Sequence, residues 1–179
     1  MFEQLRYSIG ILLSRYRFRR KSDKVTSFSH AISSSKTVMV VLPLQTHEIN
    51  IVSGIIQLLK RHFREENITL VASNHPVALM RMLPRSQIIH FRQQEISPFF
   101  LPRKELAQRV CSRGHDLAID LNLDFLLPSG YICKENGAPI RVGFSRKHSE
   151  LYFNFEIRPD PTLARKLIYD RLADCLQKF

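Results

Sequence analysis

Between Thr37 and Phe144 the chain alternates short, continuously apolar runs with longer segments whose apolar residues recur every three or four positions. The runs TVMVVL (37–42) and ITLVA (68–72), together with Gln87–Phe91, Asp116–Leu121 and Ile140–Phe144, have the length and β-branched content of strands covered on both faces. A helix is predicted from Thr46 to about Glu65. Its residues Ile49, Val52, Ile55, Ile56, Leu59 and Phe63 form one stripe, while Asn50, Gln57, Lys60, Arg61 and Arg64 face outward. Thr46 is a candidate cap, and Glu48 lies in the first turn, where the backbone dipole favours an anion. Shorter helices are expected over His75–Leu83 and from Pro102 to about Arg113. The stretch between Leu121 and Ile140 reads as a connection closed by a Gly-Ala-Pro turn. Asp160–Phe179 reads as an amphipathic helix capped by Asp160, with Pro161 in its first turn and Leu163, Leu167, Ile168, Leu172, Cys175 and Leu176 on one face. Strands alternating with helices in this way imply α/β architecture: a single Rossmann-like parallel sheet with helices on both faces. Ligands on such sheets bind beyond the carboxyl ends of the strands, here around Pro43–Glu48, Ser73–His75, Arg92–Ser97 and Asn122–Asp124.

The first fifth of the chain follows a different pattern. Phe2, Leu5, Ile9, Leu12, Leu13 and Tyr16 share one face of a helix, the basic run RYRFRRK (15–21) overlaps its end, and a Ser-rich linker follows. The organisation expected is a basic amphipathic helix and linker over 1–35, the α/β domain over 36–157, and a final helix over 158–179 packed on that domain. Two readings of the first helix stand side by side. It is a peripheral anchor whose Phe2, Leu5, Ile9, Leu12 and Tyr16 enter the headgroup boundary while Arg6, Arg15, Arg17, Arg19, Arg20 and Lys21 meet anionic lipid. Alternatively, it packs on its own domain or on a protein partner, with the charge run left in solvent. The positive charges follow the apolar stretch instead of preceding it, which argues against a cleaved signal peptide.

Charge sharpens this picture. Of a net +11 over 179 residues, +6 falls within residues 1–36. A basic tail on a milder body, without aromatic residues interleaved among the body's cations, argues against nucleic acid as the partner. The chain has 44% apolar residues and no apolar run near the ~20 residues needed to span a bilayer. Its three cysteines (Cys111, Cys133, Cys175) are far apart, which fits a reducing cytoplasmic setting.

Catalytic signals are sparse. There is no G-x-G-x-x-G and no P-loop, and the turn LPLQTHE (42–48) after the first strand has no glycine to let a diphosphate approach the backbone. The seven histidines show no paired ligand spacing, so neither a metal nor a cofactor is expected. His47-Glu48 stands at a strand-to-helix turn on the ligand edge. Glu48 is there either a general base or only a first-turn acid. Asn122 and Asp124 at the end of the fourth strand, with Arg92 beyond the third, are ligand-facing candidates or loop caps.

Three stretches carry a resemblance. VMVVLPLQTHEINIVSGIIQLLKRHF (38–63), HDLAIDLN (115–122) and GAPIRVGF (137–144) are similar, in order and spacing, to motifs of the heptosyltransferase family of lipopolysaccharide-core glycosyltransferases. The resemblance covers Lys36 to the C-terminus and implies the N-terminal, acceptor-side half of a GT-B glycosyltransferase. It also implies that the position of the family's Gly-Asp, whose aspartate is the proposed catalytic base, is held here by His47-Glu48. A second Rossmann-like domain binds the nucleotide sugar in that family, and the chain is expected to end where that domain would begin. These implications give a single-domain, heptosyltransferase-like accessory or binding protein at the inner membrane, a pseudoenzyme inactive alone. Its partners would be a protein, an anionic membrane surface, or a glycan or glycolipid. One alternative is the acceptor-binding half of a split glycosyltransferase, of heptosyl or hexosyl type, acting in lipopolysaccharide or cell-surface glycan synthesis. Another is a scaffold subunit of a membrane complex.

Overall fold

The computed structural model of the chain describes residues 2–21, 23, 31–73 and 77–178. In chain order the elements are α1 (Phe2–Phe18), α2 (Ala31–Ser34), β1 (Val38–Val41), α3 (Thr46–Ile51), α4 (Ser53–His62), β2 (Ile68–Ala72), α5 (Val77–Met82), β3 (Gln87–His90), α6 (Lys104–Cys111), β4 (Leu117–Asp120), α7 (Leu127–Asn136), β5 (Ile140–Phe144), β6 (Phe155–Ile157) and α8 (Arg165–Gln177). The six strands form one sheet in the order β3-β2-β1-β4-β5-β6. Every pairing is parallel. The chain builds outward from β1 to β3, then returns to lay β4 on the other side of β1. The β1/β4 seam is therefore the switch in strand order.

The expected α/β sheet with helices on both faces is present. The wholly apolar runs form strands because each residue meets a covering helix on one face or the other. Val38, Val40, Leu117 and Ile119 pack with Ile55, Ile56 and Leu59 of α4 and Leu172 of α8. Their alternates Met39, Val41 and Ala118 pack on the opposite face with Leu106 of α6, Ile132 and Cys133 of α7, and Ile11 and Phe18 of α1.

Several elements depart from the sequence reading. The helix expected over 46–65 breaks at Val52 into α3 and α4, although its stripe Ile49, Val52, Ile55, Ile56, Leu59 and Phe63 is buried throughout. Its N-cap is Gln45, not Thr46. The connection after β4 contains α7, a ten-residue helix buried nearly all round, so it lacks an amphipathic period. Its ends are marked instead by Pro128 in the first turn and by Gly137, which closes the helix at φ 79°, a left-handed conformation suited to glycine. A sixth strand, β6, completes the edge beside β5. The last helix starts at Arg165. Asp160 accepts hydrogen bonds from the Thr162 N–H and hydroxyl, so it caps a turn ahead of the helix, and Leu167 points outward. His75 and the linker residues 24–30 lie outside the described residues.

The N-terminal helix departs most. It is not an appendage, because Ile11 and Phe18 are core residues, and the face it turns inward is not the apolar stripe read from sequence. Gly10 lets its backbone come so close that a Cβ there would lie 2.0 Å from the Phe99 carbonyl oxygen. Ser14 accepts the Tyr152 hydroxyl at 2.8 Å. Just beyond the helix, Asp23 bridges the buried cations Lys134 (2.8 Å) and Arg141 (2.7 Å), and Glu135 takes Arg17 (2.8 Å) and Lys21 (3.0 Å).

Candidate functional site

At the β1/β4 seam two loops emerge side by side. Asn122 ties them together: its carboxamide oxygen accepts the Leu44 N–H at 3.0 Å, and its Nδ2 donates to Asp120 Oδ1 (2.6 Å), Ser129 Oγ (3.3 Å) and the Leu42 carbonyl (3.4 Å). With its side-chain oxygen and nitrogen both engaged inside the protein, Asn122 staples the two loops together. Asp120 ends β4 with its side chain buried, accepting the Asn122 N–H at 3.0 Å in addition. Burial pushes its carboxyl up to about 7, a shift that the two Asn122 hydrogen bonds offset only in part.

Glu48 reaches the same seam from the first turn of α3. It is buried, and its Oε1 accepts a hydrogen bond from the Arg165 guanidinium at the start of α8. The surrounding cleft, about 70 Å³, is lined by Leu44, Gln45, Asn122, Leu123, Asp124 and Leu126 together with this ion pair. It is too small for a sugar ring. Glu48, Asn122 and Asp124 are thus brought together, with Asp124 exposed at the rim. Arg92 is not: it follows β3, three strand spacings or roughly 14 Å from β4. The side chains of Thr46 and His47 lie outside the described residues.

A larger opening lies next to this cleft on the α1 side of the sheet and shares Leu126 with it. It measures about 700 Å³ and runs between α1 and the N-terminus of α7. Tyr7, Phe100, Phe125 and Pro128 supply apolar walls, and Lys147 and His148, beyond the carboxyl end of β5, supply polar ones. Its volume falls in the range of small-molecule sites. Among the described residues, the two non-glycine residues with positive φ, Phe100 (61°) and His148 (75°), both line it. Bulky side chains occupy that region at a cost, and such positions gather at ligand sites. Sequence reading missed this cavity and also missed Arg165. The left-handed His148 lies in a polar loop with no glycine to mark it, and the other walls come from three separate stretches.

The residues named for membrane or partner contact divide by environment. Phe2, Leu5, Leu12 and Tyr16 are exposed, and Ile9 is partly so. Arg6 donates to the Pro98 carbonyl at 2.6 Å, and Arg19 lies over the Tyr16 ring. Arg17 and Lys21 are held by Glu135, while Arg15 and Arg20 have no carboxylate partner among the described residues. Also among the described residues, no group of three His, Cys, Asp or Glu side chains is placed to hold a metal ion, and no helix is long and apolar enough to cross a membrane.

A six-stranded parallel sheet of order 3-2-1-4-5-6, with its openings at the carboxyl edge, defines a Rossmann-like α/β unit of the kind found in GT-B glycosyltransferases. Within that class the fold is heptosyltransferase-like. The glycosyltransferase of family 9 from Veillonella parvula matches it with a TM-score of 0.63 at 19% identity, over 86% of this chain and 44% of that one. The ADP-heptose lipopolysaccharide heptosyltransferase II of E. coli gives 0.59 at 17% identity, over 76% and 40%. The E. coli heptosyltransferase WaaC with ADP gives 0.57 at 9%, over 78% and 46%. At such identities the likeness establishes the fold, and the chain spans less than half the length of each of these structures. No family model and no curated protein sequence matches the chain.

Proposed function

We propose that residues 1–179 act as the acceptor-side binding module of a heptosyltransferase-type system and carry out no glycosyl transfer by themselves. The supporting observation is the Glu48–Arg165 pair. A general base needs a free carboxylate within hydrogen-bond reach of the acceptor hydroxyl. Glu48 is buried, faces a guanidinium, and borders a cleft that admits no sugar. The 700 Å³ cavity is the better receptor: aromatic walls stack on a sugar ring, and Lys147 and His148 meet acidic substituents. A glycan bearing acidic groups has that mixed chemistry, and lipopolysaccharide is the glycan named for one structural relative.

The test is to mix the purified chain with ADP-heptose and deacylated lipopolysaccharide core oligosaccharide. Saturable oligosaccharide binding, weakened about tenfold by Lys147→Glu, with no release of ADP, is the expected result. Release of ADP by the chain alone would overturn the reading, and absence of oligosaccharide binding would remove its ligand. A split glycosyltransferase is the second reading, favoured by Glu48 lying at the switch point, where release of Arg165 would free its carboxylate. It requires a separate nucleotide-sugar unit and predicts that Glu48→Gln abolishes turnover of the reconstituted pair.

A further inference from the structure

Helix α1 has two faces of opposite fate. Tyr7, Gly10, Ile11, Ser14 and Phe18 point into the protein, and Phe2, Leu5, Ile9, Leu12, Leu13 and Tyr16 project from the other side, roughly 180° around the axis. The outer side is no frayed end. Phe2, Leu5, Leu12 and Tyr16 are 79, 59, 66 and 64% exposed, on a helix clamped to the body by Gly10, Ser14 and the Glu135 ion pairs. An apolar ridge about 20 Å long, held outward by a rigid support, is covered by something in use.

We infer that this ridge docks α1 flat on a bilayer carrying anionic headgroups. Charge complementarity favours that surface. Arg15 and Arg19 border the ridge on one side, Arg20 extends it past Tyr16, and Arg6 and Arg17 border the other. The helix carries one acid, Glu3, on its inward flank. Cations beside a lipid-facing apolar stripe are the arrangement that membrane-surface helices use, with guanidinium groups at phosphate level and rings at the acyl boundary. A second copy of the chain fits worse, because two such ridges would bring their unpaired Arg15 and Arg20 together with no facing acid. Docked this way, the body stands on the membrane through α1, and the 700 Å³ cavity, which Glu3, Gln4, Tyr7 and Ser8 also line, lies on the inward side of that helix, about one helix diameter from the lipid. The inference is independent of which ligand that cavity takes.

Flotation of the full chain with vesicles of pure phosphatidylcholine, and of phosphatidylcholine with one-third phosphatidylglycerol, tests the proposal. Binding to the anionic vesicles that falls steeply with added salt is expected. Arg15→Gln with Arg20→Gln should lower partitioning about 25-fold, at about fivefold per cation. Leu12→Glu or Leu5→Glu should abolish flotation while leaving the thermal unfolding midpoint in solution unchanged, since both side chains are already exposed. Equal binding to the two vesicle types, or binding indifferent to Leu12→Glu and Leu5→Glu, would overturn the inference. So would a dimer in solution that Leu12→Glu dissolves, with no vesicle binding by the parent chain.

Discussion

Helix α8 turns Ile168, Tyr169, Leu172 and Leu176 into the core beside α4, and its Tyr169 hydroxyl donates to the Leu121 carbonyl at 2.7 Å. Helix α1 turns Gly10, Ile11, Ser14 and Phe18 inward and leaves Leu5, Leu12 and Tyr16 outside. The difference lies in what each helix packs against. On the α8 side the facing residues are Leu117, Ile119 and Leu121, large enough to hold a helix off by a full side chain, and bulky residues fill the space. On the α1 side Phe99 and Leu127 come up to the helix backbone itself. At Gly10 only a residue without a Cβ fits, and Ile11 and Phe18 supply the apolar cover, so the richer apolar stripe is not the one the protein buries.

One pair of identical substitutions breaks or confirms this contrast most sharply. Leu172→Ala on α8 empties fully buried volume and is expected to cost about 3 kcal/mol. Leu12→Ala on α1 removes the same atoms from solvent and should change stability by less than about 0.5 kcal/mol. Urea unfolding of both variants measures the difference, and equal losses would mean that α1 packs by its other face.

Gly10→Ala gives the next largest effect, and its sign is the informative part. In a loosely attached helix, alanine for glycine stabilises by up to about 1 kcal/mol. Here the new Cβ would lie 2.0 Å from the Phe99 oxygen and 2.8 Å from a Leu127 methyl, so the helix must back away. A loss of about 2 kcal/mol is expected, together with a rise in hydrogen exchange of the α1 amides. A gain would show that α1 is not clamped.

These contrasts also explain what was legible in the sequence. β1, β2 and β4 announce themselves because a parallel strand covered on both faces is apolar at nearly every position, Thr69 and Asp120 being the exceptions, and the stripe of α3 and α4 does so because one face of it meets solvent. α7 is covered all round, so no period marks it, and Pro128 and Gly137 are the only signs of its ends. At α1 the period is strong, but periodicity reports that a face seeks apolar cover, not which body supplies it. The candidate site was partly legible. Fold logic led to the β1/β4 edge and to Glu48, but the partner that neutralises Glu48 is 117 residues away in sequence, on another helix. Asn122 was singled out for its position, and nothing local tells that its side-chain oxygen and nitrogen are both engaged within the protein.

The smallest effect concerns the layer between the two helices. Along β4 the side chains alternate: Leu117 and Ile119 face α8, whereas Ala118 and then Asp120 face the α1 and α7 side. Without a guanidinium such as the one that faces Glu48, the α1 and α7 side therefore hides the carboxyl that β4 itself carries. Its folded value of about 7 lies above the ~3.9 of an unfolded aspartate. Between those values the folded chain holds a proton that the unfolded chain has released, so stability falls as pH rises from about 4 to about 7 and is flat for this group beyond. The slope is on the order of 1 kcal/mol per pH unit at most. Asp120→Asn keeps the shape of the protonated acid and removes the titration. Unfolding free energies measured from about pH 5 to about pH 8 should therefore diverge with rising pH, the variant becoming the more stable of the two. Parallel curves would mean that Asp120 is ionised when folded, and the α1 side of the sheet would then hold a buried charge instead of a neutral acid.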